Sequence, residues 1–210
     1  GKEIYEEKLN NSISSLLFII VPMCLGVFVL SKEIIILYAG KKYLAAIVPL
    51  MIACITRIFI SLESVMNNLV MYPNNREDRI LKVSLICGTS NLIINYLLVT
   101  FKIFSPITAL ATTGLVELTV FITHYIYARR KMNINVQVFS KKNMTYIILS
   151  TLFIPISLLL RKFNLGFYIT MILIIITCML LYFIVLYIKK DNNLMFILDK
   201  FKNKLKVGKK

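Results

Sequence analysis

The sequence predicts an all-α protein, a polytopic membrane bundle of six transmembrane helices, and three observations predict it. Hydrophobic residues make up 58 % of the chain and charged ones 17 %, whereas about a quarter of the residues of an ordinary soluble domain are charged; the mean hydropathy is +0.78. Six apolar runs approach the roughly 20 residues that a helix needs to cross a bilayer. The connections between them are short and hold nearly all of the Lys and Arg, and none is long enough for a folded domain outside the membrane.

The net charge of +15 would suggest nucleic acid in a soluble chain. Here the bases sit in loops and tail, where anionic inner-leaflet lipid is the expected partner and nucleic acid is not. Trp is absent, and the 11 Tyr are available for interfacial anchoring. Cys24, Cys54, Cys87 and Cys178 each lie inside an apolar run without CxxC spacing, which reads as small buried or lipid-facing hydrophobes with no disulfide framework and no metal site. No cofactor is expected.

Residues 1–11 are charged and read as a cytoplasmic amphipathic or linker segment; the start at Gly1 without Met suggests a fragment or processed chain. The first span, Ser12 to Leu30, contains Pro22 and Gly26, both tolerated in membrane helices. The second, Tyr43 to Met71, has Pro49 near its start and carries Arg57 near its middle, then Glu63, Asn67 and Asn68. A centrally placed charge costs roughly 2.5 to 3.5 kcal/mol on insertion scales, so it is expected to face protein or a wet cavity. At helical spacing Arg57, Ser61, Ser64 and Asn68 share one narrow face, with Glu63 and Asn67 as a second polar ridge beside it. A membrane helix of this kind reads as the wall of a hydrophilic path.

The loop Tyr72-Pro73-Asn74-Asn75 leads through Arg76, Arg79 and Lys82 into the third span, Val83 to Thr100, where Ser84, Gly88, Asn91 and Asn95 repeat on one face. The fourth, Ile107 to Tyr127, aligns Thr113, Glu117 and His124. The second to fourth spans are thus expected to form the working core, and the first four, 12–127, to belong to the transport lobe. A basic cytoplasmic loop, 128–143, precedes two further spans within 144–188, Met144 to Leu160 with a kink at Pro155, and Leu165 to Ile188. Without a polar ladder, these two read as a lipid-embedded appendix. The tail, 189–210, alternates Leu194, Ile197, Leu198, Phe201 and Leu205 with Lys200, Lys202, Lys204 and Lys206, as a basic amphipathic helix on anionic headgroups would; an unstructured polybasic end is the alternative. The two faces of the bundle carry 18 and 6 Lys and Arg respectively, which puts both termini in the cytoplasm.

Four features, over Ser12 to Lys131, resemble the C-terminal half of a bacterial oligosaccharide flippase, a polysaccharide transporter of the multidrug/oligosaccharidyl-lipid/polysaccharide exporter superfamily. Pro22 and Gly26 sit in a span ending Ser31-Lys32-Glu33-Ile34-Ile35. The stretch Leu37-Tyr38-Ala39-Gly40-Lys41-Lys42-Tyr43-Leu44-Ala45-Ala46 is similar to the element at the mouth of the family's next helix. Asn75-Arg76-Glu77 closes that helix, and Asn91 precedes Asn95 by one turn. The chain departs from the pattern at Ser105-Pro106-Ile107-Thr108-Ala109, where members carry Gly, two residues, Gly, Ala.

The resemblance implies the C-terminal lobe of a MATE-like transporter, the last six helices of fourteen or the second lobe of twelve. It also implies alternating access in a bacterial inner membrane. Lipid-linked oligosaccharide is the implied cargo, with inner-membrane lipids, a missing N-terminal lobe and polysaccharide polymerase machinery as partners. Arg57 is the candidate ligand for pyrophosphate or a sugar carboxylate, because its guanidinium keeps its charge and offers a donor fork; an internal ion pair with Glu63 or Glu117 is the alternative. Ser61, Ser64, Asn68, Asn91 and Asn95 are candidates for sugar hydroxyls or for interhelical bonds, and Lys41 and Lys42 for the anionic head after flipping or for snorkelling. Glu63 and Glu117 are candidates for cation coupling, and His124 reads as an interfacial histidine without function. No phosphate loop, catalytic triad or metal cluster supports an enzyme. The other readings are a cation-coupled multidrug or small-molecule exporter of the same superfamily, a membrane glycosyltransferase or polymerase, and a fragment without independent activity.

Overall fold

The computed structural model describes residues 1–207; Gly208, Lys209 and Lys210, and the side chains of Phe201 and of residues 203–207, including Lys204, Leu205 and Lys206 of the expected amphipathic face, lie outside the described residues. The chain is 85 % helical, without strands among the described residues. Six helical stretches are long and apolar enough to cross a membrane.

Helix α1 (Lys2–Val29) runs without a break from the charged N-terminal segment into the first span. Leu9, Ile13, Leu17, Val21, Leu25 and Val29 recur at one-turn spacing and are all buried, so α1 presents one continuous apolar stripe. It stands in the middle of the molecule. On one side it packs on α3 (Ile47–Met66), on the other on α6 (Lys141–Thr151) and α7 (Phe153–Arg161), behind which stands α8 (Phe167–Ile188). Beyond α3 comes α5 (Pro106–Arg130), and beyond α5 comes α4 (Glu77–Thr100), the edge of the row, which buries no residue.

The α3–α5 seam is the tightest. A Cβ placed on Gly114 would meet Thr56 Oγ1 at 2.6 Å, so the small residue lets the two backbones approach as membrane helices commonly do. The departure at Ser105 serves to start α5. Ser105 Oγ accepts from the Thr108 amide at 3.2 Å, Thr108 Oγ1 accepts from the Ser105 amide at 2.8 Å, and Pro106 occupies the first helical position.

Pro49 lies in the first turn of α3, after a 3₁₀ turn over Lys41–Ala46, and therefore starts the helix without kinking it. The fifth span is broken at Leu152, three residues before Pro155. The last two spans, both apolar enough to cross a membrane, are fastened to the rest of the bundle by polar contacts that their composition does not suggest. Ser14 Oγ of α1 donates to Asn143 Oδ1 at 2.7 Å, Tyr182 OH donates to the Phe18 carbonyl at 2.8 Å, and Tyr146 OH donates to Asp191 Oδ2 at 2.7 Å. Arg161 forks onto Glu33 of α2 (Ser31–Tyr38) at 2.9 Å and onto the Val29 carbonyl at 2.6 Å. Isolated polar residues, invisible as a ladder, thus fasten α6, α7 and α8 to α1 and α2.

Asp191 Oδ1 also accepts from the amides of Asn193 and Leu194, which caps α9 (Asn192–Val207). The connection after α5 is held in turn. Asn10 and Glu6 of α1 accept from the amides of Gln137 and Asn135, and Ile134, Val136 and Val138 alternate into the core. These contacts gather the start of α1, the end of α5, the start of α6 and the end of α8 at one end of the bundle, together with Arg129, Arg130, Lys141 and Lys142. Glu33 and Arg161 mark the other end.

Candidate functional site

The two polar ridges of α3 face different surroundings. Arg57, Ser64 and Asn68 are exposed and Ser61 is half-buried. Ser61 Oγ donates to the Arg57 carbonyl at 2.8 Å, and Asn68 Nδ2 donates to Ser64 Oγ at 3.1 Å. Arg57 forms no ion pair among the described residues; its guanidinium stands free on the open side of α3, within electrostatic reach of Cys24 of α1. The alternative of an internal pair with Glu63 or Glu117 is not what the side chains adopt.

Those two acids face each other instead. Glu63 of α3 and Glu117 of α5 lie near enough across the seam to interact directly, both half-buried, with Cys87 of α4 within electrostatic reach of both. Asn67 Nδ2 donates to Glu63 Oε1 at 3.0 Å, while Asn67 Oδ1 is buried without a partner. Two carboxyls so close share a proton or a cation more easily than they both ionise bare.

Immediately beyond, α3 widens into a π-helical turn over Asn67–Met71. Such turns leave carbonyls displaced from the regular ladder and occur frequently at functional sites. Here Tyr5 OH donates to the Leu69 carbonyl at 2.6 Å and Asn74 Nδ2 to the Val70 carbonyl at 2.7 Å. The chain then reverses at Asn75, whose φ of 53° is one that asparagine tolerates.

His124 differs from its sequence reading. It is fully buried, two turns beyond Glu117 on α5, with neither ring nitrogen hydrogen-bonded. Glu63 and Arg79 are both within electrostatic reach of it. The Arg79 guanidinium lies over the Tyr127 ring at 3.8 Å and its Nε is buried without a partner. Proximity to Arg129-Arg130-Lys131 in the sequence predicts an interfacial residue, but the ring is fully enclosed, with Glu63 of α3 and Arg79 of α4 within electrostatic reach. The nearest sequence signal was its place on one stripe with Thr113 and Glu117.

On α4, Asn95 Nδ2 donates to Asn91 Oδ1 at 3.3 Å and Asn95 Oδ1 accepts from Thr112 of α5 at 3.1 Å. Both asparagines are half-buried against α5, whereas Ser84 and Gly88 of the same row are exposed. Lys41 and Lys42 are exposed in the 3₁₀ turn before α3, remote from the acids. The structure therefore brings together Glu63, Glu117 and Asn67 with His124, and separately Asn91 with Asn95, while Arg57, Ser64 and Asn68 form an open polar strip. A third feature, an apolar groove lined by Phe18, Pro22, Met23, Cys178, Met179 and Tyr182, contains none of the residues expected from the sequence. No group of three or more His, Cys, Asp or Glu among the described residues is arranged to hold a metal ion. No family model, no curated protein and no solved structure matches the chain.

Proposed function

We propose that this chain is the C-terminal lobe of a flippase that carries an undecaprenyl-pyrophosphate-linked oligosaccharide across a bacterial inner membrane by alternating access, coupled to a cation. The observation that carries the reading is the free guanidinium of Arg57, exposed at the head of the polar strip that continues through Ser61, Ser64 and Asn68 on a membrane-spanning helix. Facing lipid, it would cost roughly 2.5 to 3.5 kcal/mol; facing a solvated vestibule, it offers two parallel donors to a pyrophosphate. The Glu63–Glu117 pair, sheltered one ridge away, is the coupling site. Occupied by a proton or a cation it is compatible with a closed seam, and emptied it becomes a repelling pair that favours opening.

Replacing Arg57 by Ala or Glu tests this in cells whose own chain is exchanged for the variant. Surface polysaccharide is expected to fall at unchanged protein level, more for Glu than for Ala. Normal polymer with both variants removes Arg57 from the mechanism. The acid pair also favours a second reading, a cation-coupled exporter of cationic small molecules, for which the same variants would leave polymer intact while Glu63→Gln raises drug sensitivity.

A further inference from the structure

Three polar groups are orphaned at the junction of α3, α4 and α5: Asn67 Oδ1, Arg79 Nε and both nitrogens of His124, all buried and none hydrogen-bonded. A buried donor or acceptor left unmade keeps its desolvation penalty uncompensated. A packing histidine ordinarily fixes its tautomer through a bond from at least one ring nitrogen. This one fixes neither, in a chain that has no other histidine.

Around it the charges are arranged in sequence. Glu117 stands two turns back on its own helix, Glu63 of α3 lies within electrostatic reach of His124, and so does Arg79 of α4, over the Tyr127 ring on the side of the bundle that carries Arg129 and Arg130. One side attracts a proton and the other repels it. Orphaned buried polar groups of this kind are where ordered water is held, typically through about three hydrogen bonds.

Resting on the coupling role of the acid pair, we propose that His124 is the relay through which the Glu63–Glu117 pair exchanges its proton with the basic end of the bundle, across water held by Asn67 and Arg79. The pair, carrying one proton between its two carboxyls, gives it to one nitrogen of the neutral imidazole and becomes a dianion. The imidazolium releases the proton from its other nitrogen to water at the basic end and is neutral again. In the reverse direction water supplies the proton and the pair receives it. Both ring nitrogens must be unengaged for this, and both are. His124 thus acts on the proton of the coupling site and makes no contact with the saccharide.

Because the histidine is unique, its ring signals can be followed without ambiguity by NMR of the full chain, labelled with isotopic histidine in anionic-lipid nanodiscs, from about pH 4 to about pH 9. His124 is expected to titrate in the wild type, and its midpoint to move by about one pH unit or more in Glu63→Gln. A single unchanging signal over that range, or the same midpoint in both proteins, overturns the relay. Saccharide translocation by Glu63→Gln and Glu117→Gln, measured in cells, separates the two ideas. Translocation lost with a silent histidine overturns the relay alone, whereas translocation retained by both variants overturns the coupling role and the relay with it.

Discussion

Gly114 and Thr56 set how closely α3 and α5 approach, and the acids meet only because that distance is short. Gly114→Leu is expected to overpack the seam and destabilise the protein by about 1 to 3 kcal/mol, read as a lower melting temperature in detergent. Gly88→Leu is the control, since nothing lies within 4 Å of a Cβ there, and it is expected to leave stability unchanged. A second residue-scale prediction concerns the Arg161–Glu33 fork. Glu33 is 7 % exposed and Arg161 32 %, so Arg161→Ala strands a buried carboxylate at a cost of about 3 kcal/mol, the low end for such pairs, and Arg161→Ala combined with Glu33→Gln is expected to recover part of the loss. Glu63 and Glu117 were legible in the sequence as charges interrupting apolar runs. His124 was not, because burial near a helix end depends on how far neighbouring helices extend, and that is decided by packing.

At the scale of elements, apolar length located all six spans, because the bilayer imposes it. Boundaries followed less well. Helix α1 continues back to Lys2 because Glu6 and Asn10 bond the 133–137 connection, a tertiary contact without a local pattern. The π turn over Asn67–Met71 is equally silent in sequence; its Leu69 carbonyl accepts from Tyr5, which lies 64 residues away. Helix α4 is held mainly through α5, with Asn95 and Thr112 as its polar link. Asn95→Ala is therefore expected to destabilise the α4–α5 pair by about 0.6 to 2 kcal/mol, detectable as faster hydrogen exchange in α4 with α1 and α8 unaffected. Equal protection in wild type and variant would mean that the link contributes nothing.

For the whole molecule, the row from α4 to α8 leaves one edge, α4, with no buried residue, and it leaves a polar strip on α3 open. Membrane embedding follows from the six apolar helices. The inside-positive orientation is a prediction: in a cysteine-free background, Asn133→Cys and Lys102→Cys, both at exposed turns, are expected to react from opposite sides of the membrane, Asn133 from the cytoplasm. Labelling from the same side would overturn the topology. The most direct measurement is the water accessibility of the α3 strip in cells, read from Ser64→Cys and Asn68→Cys with a charged, membrane-impermeant thiol reagent and with a lipid-soluble one. Modification of both positions by the charged reagent, slowed when lipid-linked saccharide accumulates, is the result expected of a solvated wall; modification by the lipid-soluble reagent alone contradicts it.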